Sequence, residues 1–135
     1  MILVDTSVWI DFLRDRDTPG TRALNGILDR DYPFGITGII YQEILQGADS
    51  PESLHVLIDY FATQRFYHPL DNVDTYRRAA EIYGRRRRNG VTIRSAVDCL
   101  IAQIAVEHNL FLLHSDRDFQ LMKDCIPGLR EWSND

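Results

Sequence analysis

Cysteine is scarce in this chain of 135 residues: Cys99 and Cys125 stand far apart and in no C-x-x-C arrangement. That excludes a thiolate metal centre and offers no disulfide framework. Both cysteines read as small buried side chains. Lysine is scarcer still. Lys123 is the single one, so the basic residues are arginine almost throughout, a bias that carries little functional information. Long apolar runs are missing too. None approaches the roughly 20 residues of a membrane span. The opening apolar run lacks the length and basic leader of a secretory signal, so a cytoplasmic location with no membrane contact is expected. Net positive charge is also lacking. A net charge of −5 and a pI near 5.3 argue against general affinity for nucleic acid. There are no repeats, low-complexity tracts or linkers.

What is present suits a soluble globular protein, with 44% hydrophobic and 26% charged residues close to the averages for that class. The length predicts one domain over residues 1–135. A chain of this size buries roughly two-thirds of its unfolded surface without a disulfide or structural metal.

The pattern predicts a buried strand at Ile2–Val4, then a helix capped by Thr6 or Ser7 with Val8, Trp9, Phe12 and Leu13 on its buried stripe. Thr18-Pro19-Gly20 should break that helix. A second helix is expected over Arg22–Leu28, a strand over Pro33–Thr37, and a helix over Ile39–Gln46 ending at Gly47. Pro51 suits the first position of a helix carrying Leu54, Leu57, Ile58 and Phe61. Arg65–Leu70 reads as a short strand. Asp71 or Asn72 caps a long helix through Arg88, stopped by Asn89-Gly90. Ser95 opens a deeply packed helix. Leu110–Leu113 is an apolar strand, residues 119–123 a helical turn, and Leu129–Trp132 an edge strand. This alternation predicts an α/β fold: a mainly parallel central sheet of four or five strands flanked by helices.

Two acids stand just beyond apolar strands, Asp5 after MILV and Asp116 after LFLLHS. In open parallel sheets the carboxyl ends of strands meet at the ligand crevice. Two more are lone acids in otherwise apolar helical segments, Glu43 in GIIYQEILQG and Asp98 in SAVDCLIAQIAV. Each has an ordinary reading. Asp5 could be a strand-end turn residue, and Glu43 a solvent-facing one. Ser95-x-x-Asp98 is also a capping-box pattern, and Ser115-Asp116-Arg117-Asp118 a polar turn. If the four converge, they cannot all remain ionised unaided. A divalent cation would reverse the repulsion, and oxygen-only donors select Mg²⁺ or Mn²⁺. Such a site hydrolyses phosphodiesters by activating water and stabilising the leaving oxygen.

Taken in order, these segments resemble the PIN-domain ribonucleases, and within them the VapC-type toxins of bacterial toxin–antitoxin pairs. VDTSVWID resembles the first motif, with its acid at Asp5. YQEILQG resembles the second, with Glu43, and AVDCLIAQIA the third, with Asp98. LLHSDRDF resembles the fourth, with Asp116 and an Asp118-Phe119 pair. The resemblance spans nearly the whole chain. It implies a PIN-like fold and an Mg²⁺- or Mn²⁺-dependent endoribonuclease that leaves a 5′-phosphate. Asp5 and Asp98 would be the principal metal ligands, with Asp116 beside them and Glu43 completing the acidic pocket. Thr6 and Ser7 would support the first carboxylate, and Asp118 could share the role of Asp116. One departure is His114, where many relatives have Thr two positions before the fourth acid. The resemblance also implies an RNA substrate, a VapB-like antitoxin that blocks the pocket, and a homodimer.

Arg85, Arg86, Arg87 and Arg88 end a helix, where cations meet the negative end of its dipole. They are also candidates for phosphate contact along an RNA groove. His114 reads as a packed strand-end histidine, and His55, His68 and His108 show no ligand spacing. Two rivals to the nuclease remain. An aspartyl-phosphate phosphatase would need a second acid two residues after Asp5, where Ser7 stands. A catalytically silent PIN-like module binding RNA or protein would have no use for four costly carboxylates.

Overall fold

Strand β1 (Ile2–Val4) is three consecutive buried apolar residues, the pattern of a strand covered on both faces. In the computed structural model, which describes residues 1–90, 96–115, 119 and 123–133, it is the central strand of a sheet. The other strands are β2 (Phe34–Thr37), β3 (Arg65–Tyr67), β4 (Phe111–Leu113) and β5 (Arg130–Glu131). Their order is β3-β2-β1-β4-β5 and every neighbouring pair is parallel. The α/β expectation therefore holds, with five strands.

Helices α1 (Thr6–Leu13), α2 (Pro19–Asp29), α3 (Gly38–Gln46) and α4 (Pro51–Phe61) connect β1 to β2 and β2 to β3. Helices α5 (Asp74–Arg88) and α6 (Ala96–Glu107) return the chain to β4. The first group steps outward from β1 in one direction and the second crosses back. Right-handed crossovers then put the two groups on opposite faces. Accordingly α1 packs on α2 and α3, α3 on α4, and α5 on α6. The reversal of direction falls between β1 and β4, the position where open parallel sheets form their crevice.

The core follows from the apolar stripes. Trp9 is fully buried. Phe12, Phe34, Tyr60 and Phe61 surround it, with ring centroids 5.0–6.4 Å away. On the other side, Ile101, Ala102, Ile104 and Ala105 of α6 bury against Leu112 and Leu113.

Several boundaries differ from the sequence expectation. Asp5, not Thr6 or Ser7, caps α1, because its carboxylate accepts the Ser7 N–H. Thr18-Pro19-Gly20 starts α2 rather than merely ending α1. Thr18 and Thr21 form a reciprocal cap with Pro19 in the first turn. Leu13 is exposed instead of buried. β3 ends at Tyr67. The cap residue of α5 is Val73, with no side-chain cap bond, rather than Asp71 or Asn72; Asp71 Oδ1 stands just ahead of it and accepts the N–H groups of Val73 and Asp74. Asn109 ends the α6 segment with φ 57°, a left-handed residue of the kind that stops helices. The Ser95 helix start and most of the expected turn over 119–123 lie outside the described residues. A short 3-10 turn occupies Lys123–Cys125.

Candidate active site

The site is assembled at the carboxyl ends of β1 and β4. Val4 pairs with Leu113, and the Asp5 N–H donates to Leu113 O at 2.9 Å. Asp5 is thereby fixed as the first residue beyond the central strand, 3% exposed. Its side chain cannot swing away. Oδ2 accepts the Ser7 N–H at 3.1 Å and the Ser7 hydroxyl at 2.6 Å. The Ser7 Oγ in turn accepts the Ser115 N–H at 3.0 Å. One hydroxyl thus ties the loop after β1 to the loop after β4.

Glu43 arrives from the other side. Thr37, at the end of β2, caps α3 through a bond from the Ile40 N–H, which fixes the helix that carries Glu43. Thr6 Oγ1 donates to Glu43 Oε1 at 2.8 Å. Asp5 and Glu43 are close enough for the Glu43 charge to push the Asp5 pKa up. Burial is the larger cause and acts in the same direction. The bonds from Ser7 and from the Thr6 N–H pull it down, and the net effect is upward. Among the described residues, no Lys, Arg or His side chain forms an ion pair with Asp5.

Asp98 lies in the first turn of α6, half-buried. Asp116 and Asp118 lie outside the described residues. Of the four acids, the described structure brings Asp5 and Glu43 together through Thr6. Among the described residues, no three His, Cys, Asp or Glu side chains group closely enough to hold a metal ion. The donors named by sequence nevertheless suit a hard divalent cation: they are carboxylates, with no thiolate or imidazole among them. The buried Asp5 carboxylate, with hydroxyl and amide donors but, among the described residues, no basic partner, is the feature such an ion would stabilise.

His114 follows β4 directly. Its Nε2 bonds Glu131 Oε1 at 3.1 Å and its ring packs on Phe119 with centroids 5.1 Å apart, which agrees with a packed strand-end role. The arginine block needs correcting. Arg85, Arg87 and Arg88 are exposed, but Arg86 is 0% exposed and, among the described residues, its three guanidinium nitrogens have no hydrogen-bond partner. It lies beside Cys99, where burial raises the thiol pKa and Arg86 partly offsets the rise. Arg86 as placed cannot touch RNA. The signal for this was available. Thr75, Ala79, Ile82 and Arg86 are spaced by four, three and four, one helical stripe, and the run of four arginines masks it. Sequence reasoning also gave no hint of the Glu131 partner of His114, since nothing in a two-residue edge strand marks it.

A parallel sheet with a buried acid at its switch point defines an α/β protein with an acidic crevice. The PIN domain family pattern matches residues 2–124. VapC ribonuclease Mb1587 of Mycobacterium bovis is 32% identical over 123 residues, spanning 90% of this chain and 91% of its own. Ribonuclease VapC11 of Mycobacterium tuberculosis matches to the same extent. The chain belongs to the PIN-domain family, in its VapC branch. Among solved structures, VapBC2 from Rickettsia felis, bound to a DNA fragment from its promoter, superimposes over the whole of both chains with a TM-score of 0.73 at 18% identity. DNA-bound VapBC from Salmonella typhimurium matches 98% of this chain and 96% of its own, with a TM-score of 0.72 at 20% identity. These two likenesses concern the fold.

Proposed function

We propose that this protein is an endoribonuclease dependent on Mg²⁺ or Mn²⁺, acting as the toxin of a toxin–antitoxin pair. The observation that carries this reading is Asp5: a buried carboxylate held rigid at the sheet's switch point, beside a second acid and, among the described residues, no cation of the chain's own. Its relatives' names, ribonucleases of the VapC type, point the same way. The VapBC complexes that share the fold support a VapB-like antitoxin as partner, and a homodimer is the expected assembly.

In this reading Asp5, Asp98 and Asp116 hold the cation, and Glu43 completes the pocket. When bound, the ion neutralises the scissile phosphate and makes a water nucleophilic at neutral pH. The chain's own residues set the geometry. Ser7 fixes which Asp5 oxygen is engaged by protein. Thr6 aims Glu43 into the crevice. Asp118 supports the fourth segment.

The test uses the purified chain, free of antitoxin, with structured RNAs and Mg²⁺ or Mn²⁺. Cleavage should vanish with chelator and in Asp5→Asn and Asp98→Asn. Equal cleavage by those variants would sink the assigned site.

A further inference from the structure

We propose that Arg86, enclosed between α5 and α6, is a positioning residue for the cation: a fixed positive charge behind the acid crevice, which limits how tightly a cation is held there; this rests on the metal-dependent reading above. Its place in the fold comes from the packing of the two helices, which run in opposite directions. Thr75, at the start of α5, donates to both carboxylate oxygens of Glu107, the last residue of α6, at 3.0 and 2.9 Å. Gln103 Nε2 reaches the same carboxylate at 3.2 Å. At the opposite end Arg86, in the last turn of α5, lies beside Cys99 near the start of α6. α6 delivers the chain to the beginning of β4, so its own start lies toward the carboxyl edge of the sheet, the side on which Asp5 stands. Arg86 is thus at the crevice end of the helix pair, and Asp98 is the residue before Cys99.

The charge at this position needs a reason. The other members of the buried stripe of α5, Thr75, Ala79 and Ile82, are neutral. Leucine or methionine would fill the stripe at less cost, so what arginine adds is charge. An arginine stays protonated at every pH a folded protein meets. Arg86 is wholly enclosed, and among the described residues none of its guanidinium nitrogens has a hydrogen-bond partner. A charge so placed is costly unless an opposite charge answers it. Cys99 is only a weak acceptor. The opposite charge on offer is the Asp98 carboxylate. Arg86 and Asp98 act on the Cys99 thiol in opposite senses, which places both charges within electrostatic reach of one sulfur. The space around that sulfur is packed protein, with Cys99 and Ile82 both buried, so water and salt screen the field little. Arg85, Arg87 and Arg88 stand in water, where their fields are screened.

The consequence has a sign that packing alone would not produce. A side chain that only fills space supports the acids in front of it, so its removal loosens them and weakens cation binding. A fixed positive charge repels an arriving cation, so its removal leaves the acids unopposed and tightens binding. The repulsion also grows in proportion to the charge of the ion. Arg86 does not touch the ion; it acts across α6 on the ground that Asp98 offers.

The experiment measures Mn²⁺ binding to the full chain, free of antitoxin and RNA, from the paramagnetic resonance signal of the unbound ion at neutral pH. La³⁺ is measured by competition with Mn²⁺ in the same assay. Arg86→Met and Arg86→Gln should each bind Mn²⁺ about tenfold more tightly than the parent, and La³⁺ about thirtyfold more tightly, because the lost repulsion scales with the ion's charge. Arg86→Lys, which keeps the charge, should stay near the parent for both ions. If Arg86→Met does not fold, Arg86→Gln and Arg86→Lys decide, since both keep a polar head. Four results would each overturn the proposal: no Mn²⁺ binding by the parent, an affinity unchanged or weakened in the uncharged variants, equal tightening in Arg86→Lys, or a gain for La³⁺ no larger than for Mn²⁺. A separate cleavage assay keeps the two readings apart. Mn²⁺ affinity that rises on loss of the charge, with no RNA cut by any of the proteins, keeps the role of Arg86 and removes the nuclease. Cleavage by the parent with one Mn²⁺ affinity across all variants does the reverse.

Discussion

The Ser7 side chain holds Asp5 and the strand beyond it at once: its hydroxyl donates to Asp5 Oδ2 at 2.6 Å while accepting the Ser115 N–H at 3.0 Å. The short contact is that of a hydroxyl on an ionised carboxylate. It works against the two influences, burial and Glu43, that raise the Asp5 pKa.

Ser7→Ala should therefore lower cleavage by roughly 10- to 100-fold, the equivalent of a hydrogen bond to a charged group at about 1.5–3 kcal/mol. It should also move the acid limb of the pH–rate profile to higher pH, because Asp5 then loses the contact that favours its ionised form. Ser7→Thr, which keeps the hydroxyl, should restore most of both. A pH profile unchanged in Ser7→Ala would show that Ser7 only packs.

Asp5 itself should cost the protein stability when no cation is bound. Its folded pKa lies above the ordinary 3.8, so the folded state holds that proton more tightly than the unfolded one. The stability contributed is full below 3.8 and lost as pH rises through the folded value. In chelator at neutral pH, Asp5→Asn should be more stable than the parent and melt at a higher temperature. The gain should fade below pH 3.8. Thermal melts at a series of pH values measure both.

How much of this could be read from the residues alone depends on range. The parallel sheet was legible because β1 and β4 are short unbroken apolar runs. Local structure was legible where chemistry is local, as at Pro51 in the first turn of α4. What was not legible involves partners far apart in sequence. Ser7 with Ser115, Thr6 with Glu43 and His114 with Glu131 are separated by 108, 37 and 17 residues. No spacing rule reaches across a sheet register that is itself unknown beforehand.

Metal binding can be checked without any RNA. A ligand that binds only the folded state stabilises it by about 2.7 kcal/mol at a hundredfold excess over its Kd. Mn²⁺ or Mg²⁺ should raise the melting temperature of the parent protein in a concentration-dependent way, and chelator should reverse it. Asp5→Asn and Asp98→Asn should lose the shift. Because Asp5→Asn is expected to start from a higher melting temperature in chelator, the ion should invert the order of parent and variant. A cation-induced shift equal in all three proteins would place the ion elsewhere.

The arginine block separates into two roles. Arg85, Arg87 and Arg88 are exposed at the end of α5, whereas Arg86 is enclosed and, among the described residues, has no hydrogen-bond partner. A side chain that contacts phosphate contributes to the salt dependence of binding, about 0.7 in the log–log slope for each contact on a single strand. Replacing the three exposed arginines with Gln should therefore lower the slope by about 2 and weaken RNA binding at low salt. Arg86→Met should leave the slope unchanged. Its effect should fall on stability instead. An enclosed charge is costly, and apolar replacements of buried ionic groups range from neutral to stabilising by about 1–4 kcal/mol. Met is an elongated apolar side chain suited to the enclosed space beside Cys99. Salt titrations and melts on the two variants decide the matter. If Arg86→Met lowers the slope as the exposed replacements do, then Arg86 leaves the interior when RNA binds, and α5 must open at its C-terminal turn to release it.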